Sequence, residues 1–204
     1  MEIPMRLAVL ALLSALLASP AWATPEYILP TLFDVAGVAA NDVLNIRERP
    51  DAKAPIIGKL APNARGIEVV AERSGWMQVN TAERPGWVNG RYLNYRVDVW
   101  EEGRLPAGLA CLGTEPFWSL AAAKGNVTLS RPEGGQTTAL RKVLSTGWFR
   151  DPRRAVVADG LTAVITPAAC SDGMSDRAYG LEATVILGHG AQAQMLNGCC
   201  SIAR

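Results

Sequence analysis

The chain has 204 residues, with 20 Lys+Arg against 19 Asp+Glu for a formal net charge of +1, and 49% of its residues are hydrophobic. That balance implies neither nucleic acid nor an acidic membrane surface as a partner. A single histidine argues against catalysis or metal binding built on several imidazoles, and no cofactor is expected.

The N-terminus carries Arg6, the apolar run Leu7 to Leu17, then Pro20 and Ala21-Trp22-Ala23. A short basic region, an apolar stretch and small residues at Ala21 and Ala23 make residues 1–23 a secretory signal peptide, with cleavage leaving Thr24 first. The run is well short of the roughly 20 residues a membrane-spanning helix needs. No membrane span is therefore expected after cleavage, and, since no cysteine follows the run to take a lipid, no lipid anchor either. The expected location is periplasmic or secreted.

From Val35 to Tyr95 the pattern is one of short alternating strands. Leu44 and Ile46 face one way while Asn45 and Arg47 face the other, and Ile67, Val69 and Ala71 repeat the alternation. Arg49-Pro50-Asp51, Ala61-Pro62-Asn63, Arg73-Ser74-Gly75 and Arg84-Pro85-Gly86 supply the turns. Five or six strands in about sixty residues make a small barrel. The motifs Leu44-Asn45-Ile46-Arg47, Pro50, Gly75-Trp76 with Val79, Gly86-Trp87-Val88 and Tyr92-Leu93 run through this stretch. In them residues 34–96 resemble the bacterial SH3-like domain. Ala64-Arg65 departs from that family, which usually has a glycine before the middle strand; Gly66 stands one place later.

The resemblance implies a groove for an extended peptide, with Trp76, Trp87 and Tyr92 as its aromatic flanks. Asn45 and Arg47, outward on their strand, would hydrogen-bond the peptide carboxylate. Arg47 could equally pair with Glu48 or Glu72, and for Trp76 packing in the core is slightly the more expected place. Trp87 follows Gly86 beside a turn, so it is expected to matter more to binding than Trp76. The expected partner is a peptidoglycan stem peptide or a peptide of an envelope protein.

Residues 97–107 read as a linker of mixed charge, with Trp100 expected to be buried at the junction. Residues 108–204 are again β in pattern: Phe117 to Leu120, Val127 to Ser130, Ala155 to Ala158, Leu161 to Thr166, Tyr179 to Leu187 and Ala193 to Leu196. The fold class is therefore all-β, a small SH3-like barrel followed by a second, disulfide-bonded antiparallel β domain. Cys111, Cys170, Cys199 and Cys200 in an exported chain predict two disulfides, each joining Cys111 or Cys170 to one of the adjacent pair. A Cys199 to Cys200 bridge would strain the intervening peptide. The segments CLGTEPFW from Cys111, CSDGMSD from Cys170 and the terminal GCC resemble a family of small envelope proteins and lipoproteins without an assigned activity.

Candidate chemistry in this half is thin. Glu115 could serve a glycosidase, but a carboxylate beside Pro116 is more simply a turn residue. Asp172-Gly173-Met174-Ser175-Asp176 fails as a calcium loop, because Met174 offers no oxygen at the third position, and an Asx-turn is the expectation. Zinc is unexpected because adjacent cysteines chelate poorly and His189 sits in a glycine turn. Arg141, Lys142, Arg150, Arg153 and Arg154 read as a solvated cationic loop. The expectation is a non-enzymatic envelope binding or adaptor protein; the alternatives are a cell-wall hydrolase with an unrecognised carboxylate site and an inhibitor of an envelope enzyme.

Overall fold

Alternating apolar residues dictate strands, and the computed structural model, which describes residues 27–203, is built almost wholly from them. The expected signal peptide, residues 1–23, and Thr24 lie outside the described residues. In the small lobe the strands are β1 (Thr31–Val35), β2 (Leu44–Arg47), β3 (Ile56–Leu60), β4 (Ile67–Val69), β5 (Ala71–Arg73), β6 (Trp76–Thr81), β7 (Arg84–Asn89) and β8 (Leu93–Tyr95). They form a sheet β4-β1-β8 and a sheet β3-β2-β7-β6-β5. Phe33, Ile46, Val69, Val79 and Val88 fill the space between them. Eight strands replace the five or six read from the sequence. One is β1, which begins at Thr31, ahead of the expected boundary at 34, and pairs with both β4 and β8.

The second half is a closed eight-stranded antiparallel barrel. Its strands are β9 (Ala110–Thr114), β10 (Phe117–Ala123), β11 (Asn126–Arg131), β12 (Gly134–Ser145), β13 (Arg154–Ala158), β14 (Leu161–Cys170), β15 (Tyr179–Leu187) and β16 (Gln194–Ser201). Each pairs with the next, and β16 returns to β9 with Cys199 opposite Leu112 and Cys200 opposite Cys111. Closure leaves no edge strand to pair with another chain. Leu120, Val127, Val156, Ile165, Leu181 and Val185 fill the interior.

Successive residues of a strand point to opposite faces, so Cys199 and Cys200 reach different partners. Cys200 faces the core and bonds Cys111, whereas Cys199 bonds Cys170 at the start of the β14–β15 loop. These are the expected pairings. Trp118 lies across the same seam, its indole Nε1 donating to the Asn197 carbonyl at 3.2 Å. The seam tolerates this only because residues 113 and 198 lack side chains. A Cβ on Gly113 would stand 2.0 Å from the indole nitrogen, and one on Gly198 would stand 2.0 Å from the Leu112 carbonyl oxygen.

The stretch read as a linker is built into the barrel. Val99 and Trp100 join the large core, and Trp100 Nε1 donates to the Pro30 carbonyl at 2.8 Å. Arg154 corrects the reading of a solvated cationic loop. Only 3% exposed, it places its guanidinium over the Trp100 ring and donates to the carbonyls of Glu101 and Arg104, each at 3.0 Å. Arg141 and Lys142 lie on β12, not in a loop. Further bonds tie the lobes. Asn80 Nδ2 donates to Ala178 O at 2.8 Å while its Oδ1 accepts from Ala178 N at 2.9 Å, and Arg177 Nη1 donates to Ala82 O at 2.7 Å.

At the C-terminal exit of β16, the Ala203 amide donates to Glu68 Oε2 at 3.3 Å, and Glu68 Oε1 is buried without a partner. Burial pushes this carboxyl up to about 7, against the amides of Ala203 and Ile202 and the charge of Arg177. A raised value means that the folded protein keeps a proton that the unfolded chain releases. Stability is therefore full below about pH 4.5 and falls as pH rises to about 7. The loss is about 3 kcal/mol. Chemical denaturation across this range should show that decline in the native chain and not in Glu68→Gln. At the seam, Gly198→Ala should lower the unfolding free energy by about 2 kcal/mol or more, the scale of an overpacked core; an unchanged denaturation midpoint would contradict the seam geometry.

Candidate functional site

Five residues were expected to form a peptide groove, and the small lobe brings four of them together. On β2 the inward turn of Leu44 and Ile46 leaves Asn45 and Arg47 half-buried on the outer face. On β6 Met77 and Val79 take the core, which sends Trp76 outward opposite Asn89 of β7. Trp76 is thus half-buried on the outer face and is no core residue. A 3-10 turn, Gly90–Tyr92, presents Tyr92, and the turn is fixed by Asn89 Oδ1 accepting from the Arg91 amide at 3.1 Å. Arg91 covers the Tyr92 ring at 4.7 Å from its centroid.

With the loop between β1 and β2, these side chains enclose a groove of about 450 Å³ lined by Asn45, Arg47, Trp76, Asn89 and Tyr92. Trp87 is half-buried on the same outer face, paired with Arg47 and Gln78, but does not line the groove. The expected ranking of the two tryptophans is thereby reversed in position. Trp87 sits mid-strand in the sheet, while Trp76 stands next to the 3-10 turn that forms the groove wall. Arg47 pairs with neither Glu48 nor Glu72. Its Nη1 donates to the Ala54 carbonyl at 2.7 Å, Glu48 contacts Arg49 at 3.5 Å, and Glu72 accepts from Tyr27. One edge of Arg47 therefore pins the β2–β3 loop.

A second concavity was not anticipated as a site. Leu112, Gly113 and Thr114, then Cys170, Asp172 and Met174, then Asn197 and Gly198 line one pocket of about 630 Å³ on the large barrel. All three distinctive segments of this half meet there. An adjoining pocket of about 570 Å³ takes in Phe117, Trp118 and Arg131. The signal lay in the cysteines, because bridges from Cys111 and Cys170 to the terminal pair oblige the three segments to adjoin.

Asp172 forms the expected Asx-turn. Its Oδ1 accepts from the Met174 and Ser175 amides at 3.0 and 2.9 Å, and its Oδ2 from the Ser175 and Tyr179 hydroxyls at 2.8 and 3.2 Å. Partial burial pushes the carboxyl up, but these four donors outweigh it and hold it at about 2. A carboxylate so engaged orders its loop and is a poor proton acceptor. Each cysteine is in a disulfide, so none offers a thiolate.

No curated protein and no solved structure matches the chain. Among the described residues no helix is long and apolar enough to cross a membrane. Residues 42–94, which carry β2 to β7 and the groove wall from Asn45 to Tyr92, match the family model of the bacterial SH3 domain.

Proposed function

We propose that the protein is an exported, non-enzymatic binding or adaptor protein of the cell envelope, whose small lobe takes an extended peptide in the groove of Trp76 and Tyr92. The observation that carries this reading is the convergence of Asn45, Arg47, Trp76 and Tyr92 on one concave face within the stretch that matches the bacterial SH3 domain. Stiff aromatic walls supply contact area at low entropic cost, and the amide of Asn45 supplies hydrogen bonds to a main chain. The peptide is a peptidoglycan stem or a segment of an envelope protein. Two disulfides favour an oxidising compartment outside the cytoplasm. The resemblance of the second half to envelope proteins points the same way. A hydrolase finds little support, because Asp172 is committed to its own loop.

Export predicts an intact mass beginning at Thr24 for the secreted form; a chain recovered only at full length in the cytoplasm would refute it. Incubation with purified sacculi should retain the protein without releasing fragments, and fragment release would favour the hydrolase. Trp76→Ala should weaken retention by about 1 to 3 kcal/mol, the scale of a binding hot spot, with the melting transition kept. Trp87→Ala should cost less affinity. Retention unchanged by Trp76→Ala would remove the groove as the ligand site.

A further inference from the structure

The loop from β12 to β13 carries Trp148 and Phe149 at its tip, 79% and 77% exposed, the two most exposed large hydrophobic side chains among the described residues. The base of the loop is fixed. Buried Asp151 accepts from the Thr146 hydroxyl at 2.6 Å and from the Arg153 amide at 3.0 Å, and its own amide donates to the Trp148 carbonyl at 3.3 Å. Gly147 and Arg150, on either side of the pair, have positive φ of 79° and 54°, the second in a region that residues other than glycine seldom adopt. The Arg150 guanidinium lies over the Phe149 ring and over Tyr95 of the small lobe, 4.5 and 5.1 Å from their centroids. The tip is thus braced from below while its rings stay in water.

Apolar surface continues from the tip onto the barrel. Leu144 lies opposite Ala155, and Ala155 opposite Val164, one step inside the loop's root at Ser145 and Arg154. Val143, Val156 and Ile165 face the interior, so alternation turns this row outward, with Leu144 47% and Val164 42% exposed. Single exposed hydrophobics need no explanation, but adjoining ones mark an interaction surface. The charge around them is of one sign. Between Arg141 and Arg154 stand five cations and one acid, Asp151, whose carboxylate is turned into the loop. Arg141 is paired with Asp159 and Arg154 is buried, which leaves Lys142, Arg150 and Arg153 beside the apolar surface. Of the connector's acids, Glu101 is paired with Arg104, and Glu102 acts on Arg154.

We propose that this loop seats the protein on the surface of an anionic lipid bilayer, with Trp148 and Phe149 entering the headgroup boundary and Lys142 and Arg153 meeting lipid phosphates. Aromatic rings favour that boundary, and basic residues beside them add attraction to anionic headgroups. A second copy of the chain fits less well, because it would set like charge against like. The near-neutral total charge does not oppose the contact, since headgroups act only within a Debye length, on the order of 10 Å. The contact is independent of the groove on the small lobe and of the peptide proposed there. The mature full chain would be floated with vesicles of phosphatidylcholine alone and of phosphatidylcholine mixed with phosphatidylglycerol. It should bind the mixed vesicles about tenfold or more tightly, and less so as salt is raised. Trp148→Ser with Phe149→Ser, both at exposed positions, should keep the melting transition and lower that binding by about tenfold or more. Lys142→Glu should lower it by about fivefold or more with both rings in place, and this arm decides should the double variant fail to fold. Equal binding to the two kinds of vesicle, no binding to the mixed ones, or binding undiminished in a folded double variant or in Lys142→Glu would each overturn the proposal. So would a dimer of the native chain that the double variant dissolves, which identifies a second copy as the occupant.

Discussion

The return of the last strand to the first is the constraint on which the second half rests. Until β16 lies against β9, the sheet has two open edges and its apolar face has nothing to enclose. The residues that must meet are far apart in the chain, 89 positions in the case of Cys111 and Cys200. A bridge of that span can stabilise by about 4 kcal/mol in the chain-entropy model, by restricting the unfolded ensemble. Pairing in the seam also decides what happens outside it. It sets Gly113 beside Gly198, opens the slot for Trp118, and delivers the chain end to Glu68.

The two lobes are joined by more than their connector. Trp100 is held between the Pro30 carbonyl of one lobe and the Arg154 guanidinium of the other, so a ring of the large core is also tied to the small lobe. Arg154 is a buried cation answered by backbone carbonyls, not by a carboxylate: those of Glu101 and Arg104 belong to the connector, and those of Asp151 and Arg153 to the loop just before Arg154. The reciprocal bonds of Asn80 with Ala178 repeat the device at the tip of the small lobe. The pocket of Phe117 and Trp118 also takes in Glu83 of the small lobe, so its lining comes from both lobes.

Strands with strict alternation were legible in the sequence. Tyr179 to Leu187 has the bounds expected of it, and Leu181, Ala183 and Val185 are its fully buried residues. Two barrel strands escaped notice, the short β9 and β12; the latter is mostly exposed, opens on Gly134-Gly135 and shifts register between Leu140 and Lys142, so it has no sustained period to read. Arg154 was misread because Arg150, Asp151 and Arg153 beside it are charged, and burial of an arginine by carbonyls leaves no mark in a local window. The members of the groove were legible from their motifs, but the relative places of Trp76 and Trp87 depend on a 3-10 turn that no motif encodes.

The adjacent cysteines give the molecule two bridges of unequal shelter. Cys111 and Cys200 are 2% and 0% exposed within the barrel, whereas Cys170 is only half-buried at the root of the Asp172 loop. Thiol–disulfide exchange needs an attacking thiolate to reach a sulfur in line, so a reductant or an isomerase meets the outer bridge first. Reduction of the outer bridge alone would leave the barrel sewn by Cys111 and Cys200 while it lets out the loop that walls the pocket.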